Sequence, residues 1–340
     1  MKALFYFILT IVFLGSCASS TTEAGVAKES LSKYAVGFHL YEHNDSMEVL
    51  IGDKHFVYAK SVKNTFVISS STQLTFLKEM GCFSDIIGLF DANIYSDSLL
   101  LDGLKKGKIL SFKNAASPDW EALSAHSKSI VLGYKHFPLH EKTVENLNLN
   151  VVPINEYMEE HPLGKAEWIK VIGVLSGKYA AADSIFKTIE AKYNAVKSTA
   201  KQNGVKVMAG EYYDGYWSVP GSSSYVALMI RDAGGEYLVK NISQSTLQMN
   251  KESFAELLKS AQYWRKLTPM DWQAKVLSKE EVRLQFDVYP TQMKGILYCD
   301  VNKTAYFEKA LLHPDEELQD LITELNGGEG KIFYRLIKVD

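Results

Sequence analysis

The stretch 151–202 constrains this chain more than any other. It opens as a short apolar strand, passes through a polar loop to Pro162, and continues as a long run with helical period. From Tyr179 the apolar positions Tyr179, Ala182, Ile185, Phe186, Ile189, Tyr193 and Val196 recur at steps of three and four. That is the spacing of a helix with one buried stripe. A long mid-chain helix between strand-rich segments fits two architectures. One is a pair of lobes joined by a stiff connector; the other is an ordinary crossover helix.

The flanks favour the pair. Residues 65–68 read as a buried strand, with Thr72 placed to cap a helix to Met80 and Gly81 placed to end it. Segments 86–89, 108–112, 129–134 and 150–154 read as further strands, separated by helices near 119–126 and 141–147. Beyond the long helix come a strand at 205–210, helices at 223–233 and 252–260, strands at 263–267 and 296–298, and a helix at 315–325. Residues 333–339 read as a last strand or an extended tail. Strand–helix alternation at this spacing means a parallel sheet covered by helices. The expected fold class is therefore α/β, with two parallel-sheet lobes at 33–164 and 203–340 joined by a connecting helix at 165–202. Residues 34–58 alternate like one or two hairpins, turning at His43-Asn44-Asp45, and carry no functional reading.

The N-terminus places the protein. Lys2 precedes an almost unbroken apolar run that ends in Leu14-Gly15-Ser16-Cys17. The run is too short for a span, which needs ~20 residues, and reads as a secretory signal over 1–16. Its small-small-Cys ending is that of a bacterial lipobox, which makes Cys17 the lipidated N-terminus. The polar, small residues over 17–32 read as a flexible tether. The expected location is extracytoplasmic, lipid-anchored to a bacterial membrane, and periplasmic in a Gram-negative cell. Removing 1–16 takes one lysine and no acid, so a formal charge of −3 becomes −4. A mildly acidic body is a poor partner for nucleic acid. Cys82 and Cys299 read as buried free thiols, and no Cys/His cluster points to zinc.

Several motifs then fall in a recognisable order. They are Ser69-Ser70-Ser71-Thr72-Gln73-Leu74 followed by Ile86-Ile87-Gly88-Leu89, then Pro118-Asp119-Trp120-Glu121-Ala122-Leu123, then Pro162-Leu163-Gly164-Lys165-Ala166-Glu167-Trp168. Trp217-Ser218-Val219-Pro220-Gly221-Ser222, Asp232-Ala233-Gly234-Gly235 and Pro314-Asp315 follow in the second half. Across 62–337 the chain resembles the class III, helical-backbone substrate-binding proteins of ABC importers for iron–siderophores, heme and vitamin B12. The block around Lys165 is the most specific, although many members carry arginine there. The resemblance implies two lobes that close slightly on a ligand, no cofactor, no catalysis and a monomer. It also implies delivery to an ABC permease with a cytoplasmic ATPase, with a lipid anchor as the sole membrane contact. Glu121 and Glu252 match the family's two permease-docking glutamates. Glu252 does so by standing twelve residues before Trp264.

Loops after strand C-ends are expected to hold the ligand. They nominate Tyr134 and Lys135, the aromatics Tyr213, Tyr216 and Trp217, and Arg265. Aromatics would stack on a ring system, and Lys135 or Arg265 would meet carboxylates or an anionic chelate. The scarcity of arginine favours a less charged ligand such as a corrinoid, or heme. Two other classes remain open. A zinc or manganese binder of similar fold needs convergent His or carboxylate ligands, and the pairs His136/His140 and His39/His43 are poorly spaced for it. A serine hydrolase would use Gly221-Ser222-Ser223-Ser224-Tyr225. That run lacks the second glycine of a nucleophile elbow, and Ser222 or Ser223 reads better as a helix cap.

Overall fold

The computed structural model describes residues 29–137, 141–240, 246–267, 276–286 and 291–340. The signal, Cys17 and most of the tether lie outside them, as does His140. No helix among the described residues is long and apolar enough to cross a membrane.

Two sheets form the frame. The N-terminal one is all parallel, in the order Asn150–Pro153, Ile130–Gly133, Phe66–Ile68, Ile86–Leu89, Leu110–Ser111. Its central strand is buried at every residue, as a strand covered on both faces by helices must be. The C-terminal sheet runs Glu236–Tyr237, Lys206–Ala209, Tyr263–Leu267, Gly295–Cys299, Arg335–Val339, Val276–Leu277. Its first four strands are parallel, and Arg335–Val339 runs antiparallel to Gly295–Cys299. The tail left open above is thus a true strand. Cys82 and Cys299 are both buried and free.

The connector is three helices. Pro162–Glu167 and Ile169–Leu175 precede the long helix Tyr179–Lys197. Ala182, Phe186, Ile189 and Tyr193 form its fully buried stripe; Tyr179, Ile185 and Val196 pack at the margins. The Tyr193 hydroxyl donates to Asp232 Oδ2 at 2.7 Å, and Lys197 pairs with Asp232 at 2.9 Å. On the other side the Tyr34 hydroxyl donates to Glu190 at 2.7 Å. One helix is therefore bonded to both halves of the molecule.

The break before it is enforced by Gly177. Its φ is +69°, and a Cβ there would sit 2.2 Å from the Val62 carbonyl oxygen. Gly177→Ala is expected to cost on the order of 2–3 kcal/mol, since it adds left-handed strain to a backbone clash. A lowered urea midpoint with an unchanged slope is the corresponding observation.

The early hairpins are one three-stranded antiparallel meander, His39–Glu42, Ser46–Ile51 and Lys54–Ala59. Two carboxylates of the connector region hold its entry. Glu167 accepts the backbone N–H groups of Lys33, Tyr34 and Ala35 at 2.7–3.0 Å and pairs with Lys170 at 2.8 Å. Glu159 accepts those of Val36 and Gly37, each at 2.9 Å, and the Trp168 indole N–H at 2.9 Å. Trp168 is buried edge-on to Phe38. The segment without a functional reading is thereby built into the connector.

Candidate functional site: a cleft between the sheets

Loops at the C-ends of both sheets face each other across a cavity of about 530 Å³. The N-terminal wall is Thr72 and the segment Glu156–Glu160, which follows strand Asn150–Pro153. The C-terminal wall includes Tyr225, Tyr306 and Phe307, the last two following strand Gly295–Cys299. Lys165, in the first connector helix, also lines the cavity.

The rims are apolar and open. Tyr157 is 51% exposed on one side and Phe307 is 55% exposed on the other, with Met158 beside Tyr157. The polar groups are few and held. Thr72 Oγ1 donates to buried Glu156 at 2.5 Å. Burial raises the Glu156 pKa from its ordinary value, and the Thr72 hydrogen bond opposes that. Ser223 Oγ donates to Glu160 at 3.1 Å and so joins the two walls. Lys165 Nζ lies 4.3 Å from the centroid of the Tyr225 ring and has no hydrogen-bond acceptor among the described residues. Burial pulls its ammonium below the usual lysine range, against the attraction of Glu156 and Glu317.

Behind the C-terminal wall lies a buried cluster. Glu317 accepts from Arg265 Nη2 at 2.9 Å, from the Tyr306 and Tyr334 hydroxyls at 2.8 Å each, and from the Tyr225 hydroxyl at 2.5 Å. Arg265 Nε also donates to the Tyr334 hydroxyl at 2.6 Å. Tyr225 and Tyr306 present their rings to the cleft, and this cluster fixes both.

The nominated residues separate into three groups. Arg265 is 3% exposed and bonded to Glu317, so its guanidinium is not presented to a ligand carboxylate. Trp217 is also 3% exposed, because its indole stacks on Phe254 at 3.8 Å with Trp264 edge-on. These two expected contacts are corrected to packing positions. Tyr213 and Tyr216 pair across the tip of the hairpin Glu211–Tyr213/Tyr216–Pro220, whose turn residues Asp214 and Gly215 both have positive φ. The cleft end of that sheet is Pro220 and Thr246, so the tyrosines stand some three to four residues away from it. Tyr134 and Lys135 line a different cavity of about 800 Å³ between the meander and the edge strand Asn150–Pro153.

Two caps are reassigned. Ser224, not Ser222 or Ser223, caps the helix Tyr225–Asp232, and its Oγ accepts the Ala227 N–H at 3.2 Å. Ser70 caps the helix Ser71–Glu79, which frees Thr72 for Glu156. Among the described residues no group of three His, Cys, Asp or Glu side chains converges to hold a metal ion.

Glu121 and Glu252 are exposed in the first turns of helices Trp120–Ala125 and Lys251–Lys259. Asp119 and Asn250 cap those helices. Neither glutamate carboxylate has a hydrogen-bond or ion-pair partner among the described residues.

Sequence reasoning missed Glu156, Tyr157, Lys165 and Phe307 as cleft residues. The strand-end rule reaches Glu156, Tyr157 and Phe307 when applied to the last parallel strand of each half. Lys165 stands in the most specific motif, and its spacing alone does not show which way the side chain points.

Comparisons with known proteins agree with this geometry. The family model described as periplasmic binding protein matches residues 89–280, more than half of the chain. An uncharacterized lipoprotein of Methanocaldococcus jannaschii is 25% identical over 273 residues, or 76% of this chain. This chain spans 64% of that relative's length. A periplasmic heme-binding protein of Vibrio cholerae superposes with a TM-score of 0.58 at 16% identity, covering 76% of this chain and 98% of that one. A protein of an ABC-type Fe3+-hydroxamate transport system from Saccharomonospora viridis gives 0.55 at 13% identity, covering 81% and 97%. At such identities the superpositions establish a shared class III fold.

Proposed function

This chain belongs to the periplasmic binding protein family, and on that premise we propose that it captures a metal chelate or tetrapyrrole-type ligand for an ABC importer. The candidates are an iron–siderophore, heme or a cobalamin-type corrinoid, held between the two halves and delivered to a permease. The observation that carries the reading is the cleft itself, with exposed aromatic rims from both walls around a few fixed polar groups. A large ring system needs such walls, with polar contacts to orient it. The relatives with heme and Fe3+-hydroxamate in their descriptions share this fold and support the class of ligand.

In this reading 33–164 and 203–340 are the lobes and 165–202 limits their motion. Cys17 carries the lipid that holds a monomeric body at the outer side of a bacterial membrane; the relative named a lipoprotein supports the lipid attachment alone. Glu121 and Glu252 dock on the permease. Isothermal titration of the purified protein with hemin, cobalamin and ferric hydroxamates tests the proposal. Binding of at least one at micromolar Kd or tighter is expected, together with a loss of about tenfold or more in Phe307→Ala. Absence of binding by all of them would end it.

A further inference from the structure

We propose that the cleft selects ligands that are neutral or positively charged overall and that offer an amide- or hydroxamate-type oxygen to Lys165, and that it rejects polyanionic chelates. This deepens the function proposed above and rests on it.

The charge on the lining is lopsided. Among the described residues Glu156, Glu159 and Glu160 line the cavity, against a single lysine. Glu159 stays an acceptor because the Val36 and Gly37 N–H groups and the Trp168 indole all donate to it. Glu160 is exposed and accepts from Ser223. Setting Glu156 aside, Glu159 and Glu160 still stand against the one lysine among the described lining residues. A further cation, Arg265, lies behind the wall and is paired with Glu317. Two helices begin at the cleft, and their positive ends could have offset this excess. One first-turn N–H of each is already served, that of Gln73 by Ser70 and that of Ala227 by Ser224, which leaves less of each end for a ligand. An anionic ligand would therefore enter a partly desolvated space against like charge, where repulsion is strong.

Lys165 sets the second half of the rule. Its Nζ rests on the Tyr225 ring and lacks an acceptor among the described residues. A half-buried ammonium in that position gains from an oxygen acceptor on the ligand. A carbonyl or hydroxamate oxygen supplies it without importing net negative charge. Corrinoid amides and ferric hydroxamates have this chemistry; porphyrin dicarboxylates and tris-catecholates do not.

Titration calorimetry near neutral pH with four probes decides it. Fe3+-Desferal and diaquocobinamide are cationic; hemin and a ferric tris-catecholate are anionic. The expected result is that one of the cationic pair binds at least tenfold more tightly than either anionic probe. Lys165→Met should weaken the preferred probe about tenfold, and Lys165→Arg should restore most of the loss. The double variant Glu156→Gln/Glu160→Gln should gain affinity for the anionic probes. Glu159 is left in place because it holds the backbone. Each variant is compared only if its thermal midpoint matches the parent. Anionic probes binding as tightly as the cationic pair would overturn the charge rule and leave the cleft function standing. Silence from all four would overturn the charge rule, and silence from cobalamin as well would remove the cleft function.

Discussion

Replacing Glu317 by alanine is expected to destabilise the protein by about 3–5 kcal/mol, the range for removing one partner of a buried ion pair. The residue is fully buried and accepts from four donors on four separate chain segments. Without it the Arg265 guanidinium stays buried with only tyrosine hydroxyls as neighbours, and three phenols lose an acceptor. The pair itself contributes much less than this, because desolvating both ions offsets their attraction. Glu317→Ala combined with Arg265→Met should therefore recover a large part of the loss. Urea titration of the two variants distinguishes the cases. If the double variant is no more stable than Glu317→Ala, the damage is to packing rather than to an orphaned charge. Ligand affinity should fall as well, because Tyr225 and Tyr306 are held by this carboxylate at the cleft wall.

The second large effect concerns transport. The double change Glu121→Lys and Glu252→Lys is expected to reduce uptake to background in cells that depend on this protein, while ligand affinity shifts by no more than about twofold. A first-turn carboxylate is favoured by the helix dipole and presents two oxygens to an arginine fork. Both glutamates are exposed and neither lines the cleft, so reversal should not disturb ligand capture. A repulsive lysine costs more than a lost contact, which is why reversal is a sharper test than alanine. Normal uptake by the double variant would show that the permease reads another surface.

The fold was legible because its signals are periodic. Apolar runs at 66–68, 130–133 and 295–299 and the stripe from Ala182 to Tyr193 each specify burial without reference to a partner. The connector's breaks were harder to see. Gly177 ends a helix through a left-handed turn against Val62, more than a hundred residues earlier, and a helical stripe carries no trace of that contact. The site was only half legible. The loop rule points to the correct end of each sheet, but aromatic density pointed to Trp217, whose neighbours Phe254 and Trp264 come from later segments. Arg265 was read as a free cation for the same reason, since Glu317 lies fifty-two positions away. Tyr157 and Phe307 stand alone in sequence, and exposure on facing rims exists only after folding.

The carboxylates of Glu159 and Glu167 have a mechanical consequence. Together they grip five successive backbone N–H groups, from Lys33 to Gly37, beside and within the first connector helix. Any load arriving through the upstream chain enters the body over 30–37, where Ser30 and Leu31 also bond Leu40 of the meander, beside the connector helices and not at the cleft rims. A pull on that leash has little leverage to pry the jaws apart or to press them shut. If Cys17 is anchored as proposed, the protein would swing on that mooring with its grip on a captive molecule undisturbed.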